Sequence, residues 1–163
     1  MDMNTGLDPV SRKKIADGVM LVLANVYTLY LKTQNFHWNV VGPMFQPLHD
    51  IFGGQYGALA GEVDELAERI RALGCPVVAT YKNFAALSTI VVDETVPTAQ
   101  EMLQMLLMGH ETVDRHMRAL FDMATRVRDQ STCELLSRLM TAHEKQAWML
   151  RSFLETSPPV AMV

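Results

Sequence analysis

Four polar side chains in one stretch have the types and spacing to hold a metal. The stretch runs from Phe36 to Gly74 and carries His37, His49, Asp64 and Glu68, with Trp38 beside the first histidine. Imidazole and carboxylate without cysteine suit iron, manganese or zinc. Asp64 and Glu68 are i, i+4 neighbours on a helix and can share one ligand. Two acids so placed repel each other unless a cation sits between them. His37 lies just before Gly42-Pro43, a turn that can fold it back beside His49.

The element that positions these groups is a long helix. Pro43 suits a helix start, because its fixed φ and missing N–H are tolerated in the first turn. Gly74, followed by Pro76, is a stop signal. The intervening residues make a helix of roughly 45 Å at about 1.5 Å per residue. At about 100° per residue, His49, Gly53, Gly57, Gly61, Asp64 and Glu68 fall within an arc of roughly 120°. His49 and Asp64 are fifteen residues apart, roughly 22 Å along the axis, so they cannot bind one metal within one chain. Two copies of the helix crossing antiparallel remove the difficulty. His49 of one then meets Asp64 and Glu68 of the other, twice, about a two-fold axis. The glycine row on the same face lets two backbones approach closely, a rule best attested in membranes. Taken alone, the four residues fit a metal site and a buried polar network equally well.

The motifs narrow that choice. His37-Trp38, His49 twelve residues on, and Asp64 and Glu68 within DELAERIRALG resemble the Dps family of mini-ferritins. HEKQAWMLRSFL, from His143 to Leu154, resembles that family's final-helix signature. The resemblance covers about residues 8 to 156. It implies an all-α, ferritin-like four-helix bundle with a short extra helix in the crossover between helices 2 and 3. It further implies a hollow dodecamer built from two-fold dimers, which oxidises Fe(II), preferably with hydrogen peroxide, and stores ferric mineral against oxidative stress. By the family motif the ligands are His37 and His49 of one chain and Asp64 and Glu68 of its neighbour, with zinc as a competitor for iron. Trp38 is placed either to catch a stray oxidising equivalent or to pack at the interface. A cytoplasmic location, with association to the bacterial nucleoid, goes with the same resemblance. Asp122, Asp129 and Glu134, around the start of the last helix, are candidates for an acidic pore through which iron enters; a ring of acids concentrates cations. Ordinary helix-end charge is the competing account.

One position departs from the family pattern. The carboxylate usually found four residues after the second histidine is Gly53 here. Asp50 points about 100° away from His49 and is a poor substitute. The departure implies one iron held firmly and a second held through water, or a protective shell whose metal site is degenerate. Ferritin-like di-iron centres inside a single bundle use Glu-x-x-His on two helices. That motif is absent from this sequence, which disfavours such a centre.

Composition sets outer bounds. The 163 residues suffice for one domain with a core, and 49% hydrophobic with 20% charged residues is an ordinary globular balance. A net charge of −4 argues against a surface-wide nucleic-acid footprint. Arg12, Lys13 and Lys14 read as a solvated helix start, and no lysine precedes Lys13, so DNA binding is expected to be weak or absent. A shell that protects mainly by binding DNA is the alternative function. Cys75 and Cys133 fit a reduced compartment better than a disulfide framework. No leader pattern is visible, and Val19 to Ala24, the longest apolar run near the start, is too short to span a membrane.

Along the chain, residues 1–7 read as a flexible tail and Asp8-Pro9 as the start of a helix running to about Trp38. Cys75 to Pro97 form a connector with a short helix at Tyr81–Leu87, its Asp93 and Glu94 being solvated charges. Thr98 and Glu101 form a capping box for a third helix reaching about Arg126. Met102, Met105, Met108, Met117 and Met123 supply part of its apolar face. Residues 129–132 cap a fourth helix to about Leu154, with Trp148 in the core, and 157–163 form a terminal tail. His110 and His116 face different ways and are expected to be non-ligands. A structural role is expected for His143.

Overall fold

The computed structural model describes residues 3–92 and 94–155. It contains five helices in the order α1 (Pro9–Asn39), α2 (Phe45–Ala72), α3 (Tyr81–Leu87), α4 (Ala99–Arg126) and α5 (Gln130–Leu154). No strand occurs among the described residues. α1 and α2 form one antiparallel hairpin and α4 and α5 another; α1 packs on α4, and the short α3 packs on α1. The α2–α4 connection is the crossover that carries α3. Asp93 and the expected terminal tail lie outside the described residues.

Local chemistry accounts for the ends. Asp8 accepts the Val10 and Ser11 amides, with Pro9 in the first turn. Thr98 and Glu101 complete a reciprocal capping box at α4. α2 begins two residues later than Pro43 suggests. Gly42 has φ of 109°, a conformation that glycine adopts freely, and its carbonyl accepts from the Phe45 amide at 3.0 Å. Pro43 and Met44 therefore belong to the turn.

The core is a continuous layer of aliphatic side chains from α1, α2, α4 and α5, with Phe36 and Phe52 among its largest members. α1 is long and apolar enough to cross a membrane by length and composition, yet half of that window is buried inside the bundle. Where α1 meets α4, Gly109 leaves room for a side chain of α1: a Cβ there would lie 2.5 Å from Leu29 Cδ1. Two expectations about this core are corrected. Trp148 is 61% exposed, because α5 buries Leu139, His143, Ala147 and Leu150 and Trp148 lies about 100° beyond Ala147. Met108 and Met123 are likewise exposed, whereas Met102 and Met117 are fully buried.

The α4–α5 turn is locked by charge. Arg128 adopts a left-handed φ of 62°, and Asp129 caps α5 through the Thr132 amide and hydroxyl. Arg69, near the end of α2, reaches across to pair with Asp129 at 2.6 Å and to donate to the Thr132 hydroxyl at 2.8 Å. Burial alone would raise the Asp129 pKa, but the Thr132 and Arg69 hydrogen bonds outweigh it and hold the carboxyl below its usual range. Asp129→Ala removes both the cap and the partner of a largely buried guanidinium. A loss of about 2–4 kcal/mol is expected, read by urea unfolding at fixed protein concentration.

Candidate metal centre

The turn at Gly42 folds the last turn of α1 onto the start of α2 and brings His37 and His49 into contact. Their rings stack with centroids 3.7 Å apart and planes at 22°. The contact is reciprocal: His37 Nδ1 is 2.7 Å from the His49 carbonyl oxygen, and His49 Nδ1 is 2.9 Å from that of His37. A carbonyl only accepts, so both Nδ1 atoms carry protons and donate. The His37 carbonyl is one of the last four of α1, which have no partner in their own helix, so the pairing also closes that end. In its neutral form each ring so held keeps its lone pair on Nε2, the form in which histidine binds a metal, with the opposite nitrogen held by a backbone oxygen. Tyr56 stands edge-on to His37 at 5.2 Å, and Phe45 lies 5.2 Å from His49.

Gly53 lies directly against this pair. A Cβ there would sit 3.2 Å from His37 Cε1 and 3.4 Å from its Nδ1. The position of the missing carboxylate is thus crowded by a histidine ring. Gly53→Asp should supply an oxygen ligand only if His37 yields by a few tenths of an ångström. The expected result is more Fe(II) bound per chain, with stability lowered by about 1 kcal/mol through crowding of a fitted ring. Anaerobic iron titration and thermal melting read the two effects.

Asp64 and Glu68 lie farther along α2 on the same side, exposed to solvent. Along a continuous helix Asp64 stands roughly 22 Å from His49, and Glu68 roughly 28 Å. Gly57 and Gly61 lie between, and a Cβ at either would meet nothing in this chain. One chain therefore gathers the histidines at one end of an open face and the carboxylates at the other. Among the described residues, no cluster of three or more His, Cys, Asp or Glu side chains able to hold a metal forms within the chain. Trp38 is 64% exposed and helps to line an apolar groove with Tyr81 and Phe84.

The three pore candidates separate. Asp122 and Glu134 are exposed. Asp129 is 3% exposed and is committed to its helix cap and to Arg69, so it is not a free carboxylate for a pore. Sequence reasoning also missed a buried polar chain. Glu62 of α2, His143 of α5 and His110 of α4 connect in line, with Glu62 Oε2 2.8 Å from His143 Nε2 and His143 Nδ1 2.9 Å from His110 Nδ1. Burial first, and His143 second, push the His110 pKa well below its ordinary value, so the ring is neutral. The available signal was register. Each of the three occupies a core position on its helix, between Leu59 and Leu66, Leu106 and Val113, and Leu139 and Leu150 respectively.

Two antiparallel helix pairs joined by a long crossover define a ferritin-like bundle, and residues 21–158 match the family described as a ferritin-like domain. The chain is 36% identical to DNA protection during starvation protein 2 of Bacillus anthracis, over 93% of this chain and 99% of that protein. It is 37% identical to an uncharacterized low temperature-induced protein of Nostoc, over 96% and 88%. Among solved structures, the Dps protein of Vibrio cholerae superposes with a TM-score of 0.90 at 29% identity, covering 95% of this chain and 98% of that one. That protein is described as a member of a broad superfamily of ferritin-like diiron-carboxylate proteins. DpsC of Streptomyces coelicolor superposes with a TM-score of 0.92 at 25% identity, covering 98% and 94%. The chain belongs to the Dps family of mini-ferritins.

Proposed function

We propose that this chain is a ferroxidase subunit of an iron-storing mini-ferritin. It oxidises Fe(II), preferably with hydrogen peroxide, at sites shared between two subunits, and the ferric product is stored within a hollow dodecamer in the cytoplasm. The observation that carries this reading is the reciprocal His37–His49 pairing, which fixes both free lone pairs on Nε2. The carboxylates needed to complete a site, Asp64 and Glu68, lie on the same open face of α2 but out of reach. A second copy laid antiparallel supplies them.

Iron is the substrate. The two imidazoles bind Fe(II), and the two carboxylates favour the Fe(III) product. Peroxide takes one electron from each of two irons, so no hydroxyl radical is released. With Gly53 in place of a carboxylate, one iron is held by protein ligands and the second through water. Zinc, which shares these ligand preferences, competes for the site. Asp122 and Glu134 remain as pore carboxylates. DNA binding is weak or absent, in keeping with the net charge of −4 and no lysine before Lys13.

Anaerobic Fe(II) titration of the metal-free protein, followed by peroxide or air, tests the reading. Fast ferric absorbance in the wild type, lost in His37→Ala/His49→Ala, is the expected result. The binding plateau gives the number of irons per site. Equal oxidation by the two proteins would overturn it.

A further inference from the structure

All four tyrosines of the chain, Tyr27, Tyr30, Tyr56 and Tyr81, lie in one unbroken line of ring contacts. The line begins at the histidine pair, where Tyr56 stands edge-on to His37 with ring centroids 5.2 Å apart. Tyr30 follows at 6.2 Å from Tyr56, Tyr27 at 5.9 Å from Tyr30, and Tyr81 at 6.2 Å from Tyr27. Helical register accounts for the alignment. Tyr30 precedes His37 by seven residues on α1, and Tyr56 follows His49 by seven on α2. Each tyrosine therefore lies two turns from its histidine on the same side of its helix. Antiparallel packing of α1 and α2 sets Tyr56 against Tyr30, and Tyr27, a turn further from the site, meets Tyr81 at the start of α3.

The line runs from the site to the surface. Tyr56, Tyr30 and Tyr27 are half-buried, whereas Tyr81 is 75% exposed. Aromatic rings at these separations pack well whether or not they carry hydroxyls, and phenylalanine would fill the space with no polar group to satisfy. Phe84 does so beside the line, 4.8 Å from Tyr27, yet every ring on the direct route from His37 to the surface is a phenol. A phenol, unlike a phenyl ring, gives an electron and a proton to a strong one-electron oxidant. The Tyr81 hydrogen bond first, and burial second, raise the Tyr27 pKa, so that hydroxyl has its proton to give at neutral pH. Gly53 supplies the need. Where one iron is held by protein ligands and a second only through water, peroxide meets a site with a single electron to offer.

We propose that Tyr56, Tyr30, Tyr27 and Tyr81 form an electron relay that brings the second electron for peroxide reduction from Fe(II) at the surface of the chain. The relay rests on the ferroxidase reading of the His37–His49 pair. The bound Fe(II) gives one electron to hydrogen peroxide and becomes Fe(III). The O–O bond breaks, one oxygen leaves as hydroxide, and the other is left as a hydroxyl radical. Tyr56 gives that radical an electron and a proton, which makes water and a neutral tyrosyl radical. Each later step passes one electron inward from ring to ring. The inner phenol regains a proton from water and the outer one releases its own, so the radical moves outward. At Tyr81 a second Fe(II) gives an electron and becomes Fe(III), and a proton from solvent restores the phenol. Two Fe(II), one peroxide and two protons thus become two Fe(III) and two waters.

The metal-free, fully assembled protein is loaded anaerobically with one Fe(II) per chain, mixed with one equivalent of peroxide and frozen for electron paramagnetic resonance. The expected result is a tyrosyl radical in the wild type, discharged by a second equivalent of Fe(II). Tyr56→Phe keeps the ring and should lose the radical, with hydroxyl radical recovered on a spin trap in its place. Tyr81→Phe should keep the radical on the inner rings, where the second Fe(II) no longer discharges it promptly. Assembled mass and helical circular dichroism show that both variants keep the fold. Ferric absorbance that depends on His37 and His49 but leaves no tyrosyl radical in the wild type would overturn the relay alone. A radical of equal yield in Tyr56→Phe, or one centred on Trp38 in place of tyrosine, would do the same. Ferric absorbance that His37→Ala/His49→Ala leaves unchanged would overturn the ferroxidase reading and the relay with it.

Discussion

Two inactive variants, coexpressed, should restore about one quarter of the wild-type iron-oxidising sites. The first variant is His37→Ala/His49→Ala, which keeps the carboxylates; the second is Asp64→Asn/Glu68→Gln, which keeps the histidines. Each alone should oxidise iron no faster than buffer, because every site in its shell lacks half of its ligands. Random assembly makes half of the two-fold pairs mixed. In a mixed pair, one of the two sites receives both intact halves and the other receives neither. Half of the sites in half of the pairs gives the quarter. The arithmetic depends on the roughly 22 Å between His49 and Asp64 on a continuous α2, which forbids a complete site in one chain. Ferric absorbance after a peroxide pulse, normalised to assembled protein, reads the fraction. No recovery in verified mixed shells would mean that the two halves do not meet across a subunit boundary.

Acid should destabilise the metal-free protein, with His110, whose pKa is pushed well down, as the main group and His116, lowered by burial and then Arg115, acting in the same direction. Unfolded, the His110 imidazole binds a proton at the ordinary value near 6.5. Folded, burial first and His143 second hold the pKa well below that. Below about pH 6.5 the unfolded chain therefore binds the extra proton and the folded chain does not. Stability is fully present above that value and falls by about 1.4 kcal/mol per pH unit as acid is added, until the folded pKa is reached. Urea unfolding at pH 7.0, 6.0 and 5.0, at one protein concentration and with chelator present, gives the slope. His110→Gln keeps an amide for His143 and removes the titration, so its slope should be flatter by about that amount. Parallel slopes for the two proteins would place the acid sensitivity elsewhere.

The helices, their caps and the candidate ligand types were legible in the sequence because they rest on local rules. Asp8-Pro9, the Thr98–Glu101 box and Asp129 satisfy amide groups within a few residues of themselves, and the structure uses all three as caps. The short helix at Tyr81–Leu87 and the crossover that holds it are where the sequence places them. Helical spacing sufficed to separate His49 from Asp64, since a rigid rise per residue needs no tertiary information. Face assignments were less secure where one residue of register decides them. Trp148 lies a single residue from buried Ala147 and points outward.

What only the tertiary structure decided involves groups brought together from distant parts of the chain. The His37–His49 stack and its shared carbonyls depend on the path of the Gly42 turn, and the stack fixes which nitrogen each ring offers. Asp129 reads as a surface acid until Arg69, sixty residues away, is seen to claim it. Glu62, His143 and His110 come from three helices. Each looks like a polar interruption of an apolar stripe, and only packing turns the interruptions into one hydrogen-bonded line. Sequence determined the types of the candidate ligands and their reach along each helix, because both are properties of one segment. Pairing, tautomer and burial arise between segments, and the fold alone set them.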